Sequence, residues 1–203
     1  MEKNEKVEYN CERILSTLLL YHIFNQHFID KIEVESLKLL VMSDTHGDAE
    51  IMKAVRERHL DVDAIIHCGD SELPFDHPYL KGVNAVRGNC DRDAEFPEEI
   101  LFEIEGKKIF VAHGHLLNVK RTTMNLLYRS KEVEADATFF GHSHVLGAEL
   151  VDHILFVNPG SLKKPRALAD KSYAIVEFEH DIWTVTALTD QGEKIFKETF
   201  PLQ

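Results

Sequence analysis

The chain has 203 residues, 44% hydrophobic and 29% charged, and its 23 basic against 35 acidic side chains give a net charge of −12. This composition excludes a disordered chain, and the length favours one domain whose core needs no disulfides. A strongly acidic protein lacks the electrostatic footprint for long nucleic acid or an anionic membrane, but it can still act on a phosphate through a bound cation.

The first 36 residues stand apart from the rest. They carry Ile14, Leu15, Leu18, Leu19, Leu20, Ile23 and Phe24 without a clean helical stripe. The longest apolar run, Ile14 to Phe24, is broken by Ser16, Thr17 and His22, too short for a membrane span. The acidic start, with Glu2, Glu5, Glu8 and Glu12, is wrong for a signal peptide. Two readings stand for this N-terminal extension: a docked helix, or a mistranslated leader upstream of a genuine start at Leu37. The second rests on Glu33-Val34-Glu35, which can be encoded as a purine-rich GAG-GTG-GAA. Cys11, Cys68 and Cys90 are odd in number and form no C-x-x-C pair, so a reducing cytoplasm fits.

From Leu37 the pattern becomes regular. Leu37–Met42 reads as a buried strand, and 48–58 as a helix with Ile51, Met52 and Val55 on one face. Ala64–His67 and 83–86 are short apolar strands. Strands at 101–105 and 108–111 flank a turn at Gly106-Lys107. A helix is predicted over 122–131 with Met124, Leu127 and Tyr128 on one side. Ala137–Phe140 is a strand, followed by hairpins turning at Asp152-His153 and His180-Asp181. Helices interleave with strands early and hairpins dominate late, which predicts an α/β body with mixed sheets.

Five of these strands end in a glycine beside Asp, Asn or His. The ends are Ser43-Asp44-Thr45-His46-Gly47, His67-Cys68-Gly69-Asp70, Arg87-Gly88-Asn89-Cys90-Asp91, His113-Gly114-His115 and Gly141-His142-Ser143-His144. Ligands in α/β sheets bind outside the carboxyl ends of strands, so five such loops can converge on one site. Asp44, His46, Asp70, Asn89, His113, His142 and His144 offer carboxylate, amide and imidazole donors and no thiolate. That set suits Mn, Fe, Ni, Co or Zn rather than a structural Cys-rich zinc site. Seven donors exceed what one ion with open positions needs, so two divalent ions sharing an Asp is the economical reading. His22, His27, His59, His77, His153 and His180 read as ordinary histidines.

The ordered set Asp44-x-His46, Gly69-Asp70, Gly88-Asn89, Ala112-His113-Gly114-His115 and Gly141-His142-x-His144 resembles the calcineurin-like metallophosphoesterases. With Asn158-Pro159-Gly160-Ser161 it looks most like their small YfcE-type phosphodiesterases. The resemblance spans about Leu37 to Leu188 and implies two mixed β-sheets packed face to face with helices outside, a four-layer αββα sandwich, with the domain over 37–203. It implies that Asp44, His46 and His144 hold one ion and Asn89, His113 and His142 the other. It also implies that Asp70 bridges them and that Asp70, Asn89 and His113 serve the reaction. The implied activity is hydrolysis of small phosphodiesters by a hydroxide between two divalent metals, Mn first among them. Asn89 and His115 would touch the substrate, and Asn158 to Ser161 would form a turn beside the site.

One departure bears on leaving-group protonation. Many relatives place a histidine where this chain has Cys90, and a neutral thiol is a poor acid. Good leaving groups are therefore expected to react best, with His115 as a stand-in donor. Other classes considered are a non-catalytic scaffold on the same fold, a nuclease and a phosphomonoesterase. The complete donor set speaks against the first and the acidic charge against the second. Exposed edges of the late hairpins could pair copies into a homo-oligomer.

Overall fold

The computed structural model describes residues 36–166 and 170–202. The readings of the N-terminal extension, with His22 and His27, lie outside the described residues.

Leu37–Met42 (β1), Ala64–His67 (β2) and Val83–Ala85 (β3) run parallel and adjacent. Ser172–Glu179 (β9), Ile182–Thr189 (β10) and Lys194–Pro201 (β11) extend that sheet by antiparallel pairing, in the order β11-β10-β9-β1-β2-β3. The second sheet has Glu99–Ile104 (β4), Lys107–Ala112 (β5), Ala137–Phe140 (β6), Gly147–Val151 (β7) and Ile154–Asn158 (β8), ordered β4-β5-β6-β8-β7. Its three central strands, β5, β6 and β8, are parallel.

Alternation along the strands builds the layers. In β1, Leu39 and Val41 join Ile66, Val111, Phe139, Val157, Val176 and Trp183 in the cluster shared by both sheets. Leu40 and Met42 point the other way and pack with Met52 and Val55 of the helix Ala49–Arg58 (α1). On the far side Phe110, Ala112 and Phe140 pack with Leu126 of the helix Met124–Glu132 (α2). Each fully buried Val, Leu, Ile, Met or Phe side chain among these contributes about 1.5–3 kcal/mol. The four-layer αββα sandwich is therefore the observed architecture. α1 begins where Asp48 accepts a hydrogen bond from the Ile51 amide at 3.2 Å, an N-cap.

Three expectations need correction. The inner face of α2 is Leu126 and Ser130, whereas Met124 and Tyr128 are 46% and 62% exposed. Ser130 tolerates burial because its hydroxyl donates to the Leu126 carbonyl and accepts from Thr138, each at 2.8 Å. The β4–β5 turn is Glu105-Gly106, one residue earlier than predicted, with both φ positive, at 45° and 67°. β11 was not foreseen: it is an edge strand with mostly exposed positions, holding on through Phe196 and Phe200. Its lysines and terminal Pro201 are the usual blunting of a sheet edge. The turns at Asp152-His153 and His180-Asp181 fall where expected, all four residues at positive φ.

Candidate metal centre

Because β1, β2 and β3 are parallel, their carboxyl ends lie side by side, and so do those of β5, β6 and β8. The loops leaving them meet at one end of the sandwich. Backbone bonds continue the ladder past the strands: Asp44 N–H donates to the Gly69 carbonyl, His46 N–H to that of Asp70, and Gly141 N–H to that of His113, at 3.0–3.1 Å. Asp44, His46, Asp70, His142 and His144 all have φ between 44° and 63°, a left-handed conformation that costs a non-glycine residue about 1 kcal/mol or more. Gly141 has no room for a side chain, since a Cβ there would stand 2.1 Å from Ser43 Oγ.

The donors form three overlapping groups: Asp44 with His46 and His144, Asp44 with Asp70 and His113, and His46 with Asp70 and Cys90. Within each, one ligand atom per residue lies within 4.8 Å of the others. The imidazoles are aimed. His46 Nδ1 is bound by Glu72 at 2.5 Å, His144 Nδ1 by the Lys164 carbonyl at 2.5 Å, and His113 Nδ1 by the Cys68 carbonyl at 2.7 Å. Each Nε2 is thereby turned inward, the arrangement by which a neighbouring acceptor sets a metal-ligating histidine. His144 Nε2 lies 2.8 Å and His46 Nε2 3.9 Å from Asp44 Oδ1. Asp44 Oδ2 is occupied, accepting from Ser43 Oγ at 2.5 Å and the His142 amide at 3.3 Å. Yet Asp44 Oδ1 and His46 Nε2 are buried without a hydrogen bond of good geometry. Such orphaned atoms cost about 1–3 kcal/mol each. A cation between them removes that cost, so these residues fit a divalent ion.

On the other side His113 Nε2 lies 3.2 Å from Asn89 Oδ1 and 3.5 Å from Asp70 Oδ2. Asp70 Oδ1 accepts the Cys90 amide at 2.7 Å. The His142 ring stands 5.0 Å from that of His113 and 6.0 Å from that of His115, outside the three tight groups, and its Nδ1 is 3.5 Å from Lys120 Nζ. The Asn158–Ser161 turn does lie beside the site. Asn158 Nδ2 donates to the Gly141 carbonyl and Ser143 Oγ, and Ser161 Oγ donates to the Asp44 carbonyl.

Two residues central to this geometry were missed in the sequence. Glu72 fixes His46. Asp91, buried, accepts four hydrogen bonds: Oδ2 from the amides of Asp70 and Gly88, Oδ1 from Ser71 Oγ and the Glu72 amide. His67, also buried, holds Thr45 through Nε2 and accepts the Gly69 amide at Nδ1, and burial pushes its pKa down to about 4. Outside the site His59 bonds the Tyr173 hydroxyl, and His77 caps the short 3-10 turn Pro78–Leu80, as ordinary histidines should.

Burial raises the Asp70 and Asp44 carboxyls, but the imidazoles against them outweigh it and hold both below the usual range. Burial likewise lowers His113, and Asp70 and Asp44 outweigh it and raise it above the usual value. His144 is raised by Asp44. His142 is pushed down to about 4 by burial and by the charges of His113 and Lys120. Burial and His113 lower His115. Cys90 is pushed up to about 11 by burial and Asp70, so its thiol is neutral. Ligation needs neutral imidazoles, so a cation competes with protons at His113 and His144. Mn²⁺ affinity is therefore expected to fall, with proton release on binding, as pH drops from 8 to 6, a loss beginning above the ordinary imidazole pKa of about 6.5. Calorimetry of chelator-stripped protein in two buffers checks this; equal affinity at both pH values contradicts it.

A mixed-sheet sandwich with Asp, His and Asn donors converging at its strand ends is the frame of a metal site. A calcineurin-like phosphoesterase superfamily domain matches residues 37–181, and the chain belongs to that family. It is 42% identical over 160 residues to the probable metallophosphoesterase YsnB of Bacillus subtilis, covering 78% of this chain and 95% of that one. It is 28% identical over 185 residues to the phosphodiesterase YfcE of Escherichia coli K12, covering 77% and 95%. Among solved structures, a predicted phosphoesterase of Streptococcus pneumoniae TIGR4 superposes with a TM-score of 0.78 at 39% identity, covering 81% of this chain and 97% of that one. Vacuolar protein sorting 29 of Cryptosporidium parvum, at a TM-score of 0.69 and 20% identity over 82% and 99%, shares the fold.

Proposed function

We propose that the protein is a phosphodiesterase that hydrolyses small phosphodiesters with two divalent ions, Mn first among the candidates. Asp44, His46 and His144 would hold one ion, Asn89, His113 and His142 the other, and Asp70 would serve both. When bound, the ions supply Lewis acidity to the phosphate and lower the pKa of a water. The observation that carries this reading is the buried His46 Nε2, which has no hydrogen-bond partner and faces Asp44 Oδ1 at 3.9 Å, with His144 Nε2 turned onto the same oxygen at 2.8 Å.

This chain's own groups do the rest. Glu72, the Lys164 carbonyl and the Cys68 carbonyl keep the three Nε2 atoms inward. Asn89, exposed at the mouth, can donate its amide to a phosphate oxygen. The neutral Cys90 thiol beside it offers little acid catalysis, and lowered His115 offers little more at neutral pH. Esters with good leaving groups are the expected substrates. Free Cys68 and Cys90 suit a reducing cytoplasm, and no helix among the described residues is long and apolar enough to cross a membrane. Pairing of copies through the sheet edges is part of the same proposal.

The test is hydrolysis of bis-p-nitrophenyl phosphate by chelator-stripped protein. Cleavage is expected only on adding Mn²⁺ or a related divalent ion. No cleavage with Mn²⁺, Ni²⁺, Co²⁺ or Zn²⁺ would overturn the enzyme reading in favour of a scaffold on this fold.

A further inference from the structure

Among the described residues, one helix packs against the outer face of the second sheet. α2 covers Phe110 and Ala112 of β5 through Leu126. Beyond it, between α2 and the β7–β8 hairpin, lies a groove of about 870 Å³ whose lining includes Phe140, Phe156, Leu127, Met124 and Val145. Met124 and Val145 are exposed, at 46% and 59%. These are the dimensions and the apolar lining of a small-molecule pocket, which needs a few polar groups at one end.

The groove has such an end. Its lining also includes Lys120, Ser143 and Arg166. Lys120 Nζ is 3.5 Å from His142 Nδ1, and Arg166 Nε donates to the Ser143 carbonyl at 3.2 Å. Both cations therefore stand on the His142–His144 loop, in a chain whose net charge is −12. The groove's lining also holds one carboxylate, Glu149 on β7, while its two cations stand by the His142–His144 loop, so an anion at that end carrying an apolar substituent complements the groove.

We infer that this groove is the specificity pocket, taking an aryl or branched alkyl ester group of a phosphodiester whose phosphate lies beside Lys120 and Arg166. The inference rests on the phosphodiesterase reading. A bare phosphate would leave the groove unused, and a purely apolar partner would leave the two cations without an anionic partner.

Two diesters separate the possibilities. Phenyl p-nitrophenyl phosphate and methyl p-nitrophenyl phosphate release the same p-nitrophenolate: water adds to phosphorus, the P–O bond to p-nitrophenol breaks, and phenyl or methyl phosphate remains. With the Mn²⁺-loaded full chain, kcat/KM is expected to be at least about tenfold higher for the phenyl ester, the scale set by apolar pocket contacts. Met124→Glu and Val145→Ser, both at exposed positions, should pull that ratio toward one. Independently, methyl NMR of chelator-stripped protein should show Met124, Leu127 and Val145 shifting with phenylphosphonate and not with methylphosphonate.

Equal kcat/KM for the two esters, a ratio unmoved by both variants, or absent methyl shifts overturns the inference. So do methyl signals that move with protein concentration alone, because a second copy then fills the groove. Turnover of neither ester overturns the phosphodiesterase reading instead, and the methyl shifts then decide by themselves whether the groove takes an aryl anion.

Discussion

Replacing Asp70 by Asn is expected to lower kcat/KM for bis-p-nitrophenyl phosphate by about 10³-fold or more, the upper end of what one lost electrostatic group costs at a reacting centre. The substitution keeps shape and volume, and the side-chain oxygen can still accept the Cys90 amide, now at 2.7 Å. What disappears is the charge facing His113 Nε2 at 3.5 Å. His113 then loses the partner that raises it against burial. The folded state should survive, because Asn tolerates the left-handed φ of 55° at this position. Circular dichroism and bound-metal analysis alongside kinetics complete the test. A variant that folds and keeps turnover within tenfold of the parent would remove Asp70 from the site.

The second large effect belongs to Asp91, which holds the proposed ligand Asp70 through its backbone amide and not through its carboxylate. Asp91→Ala removes four acceptor contacts at once and strands the amides of Asp70, Glu72 and Gly88 in a mostly buried loop. Each orphaned donor costs about 1–3 kcal/mol, so a loss of about 3 kcal/mol or more is expected. For a domain of this size that lowers Tm by roughly 6–12 °C. Metal affinity should fall with it, because Asp70 and Glu72 both depend on this carboxylate for their backbone position. Asp91→Asn should lie between parent and Ala, keeping one acceptor while turning an NH₂ toward backbone donors. Calorimetric melting of the three proteins checks the order. A Tm within 2 °C of the parent for Asp91→Ala would contradict the role assigned here.

Strand positions and the outline of the site were legible because both have local signatures. Apolar runs marked ten of the eleven strands among the described residues, and the glycine-flanked Asp, Asn and His at their ends marked the loops that converge. β11 escaped because an exposed edge strand carries charges where a buried one carries valine or isoleucine. The inner face of α2 was misread because two stripes compete on one helix. Met124, Leu127 and Tyr128 look apolar, while the buried Ser130 hides its reason in a bond to Thr138 on a different strand. Asp91 and Glu72 were illegible for the same cause. An Asp in a Gly-Asn loop reads as a turn residue, and only the tertiary structure shows four donors gathered on it. The groove beside α2 follows from how the described helices and strands pack, which no residue pattern states.

The donors come from both sheets: Asp44, His46, Asp70 and Asn89 follow strands of one, and His113, His142 and His144 follow strands of the other. A cation held among them would therefore work as a clasp across the interior seam. Any partial opening that slides one sheet off its neighbour would then have to release the ion first, so loading would tie their fluctuations together. At a hundredfold excess over Kd the clasp adds about 2.7 kcal/mol to every opening that empties the site. Amide hydrogens of β1 and β6, on opposite sides of the seam, would then exchange as one cooperative unit in loaded protein and part company once the metal is stripped.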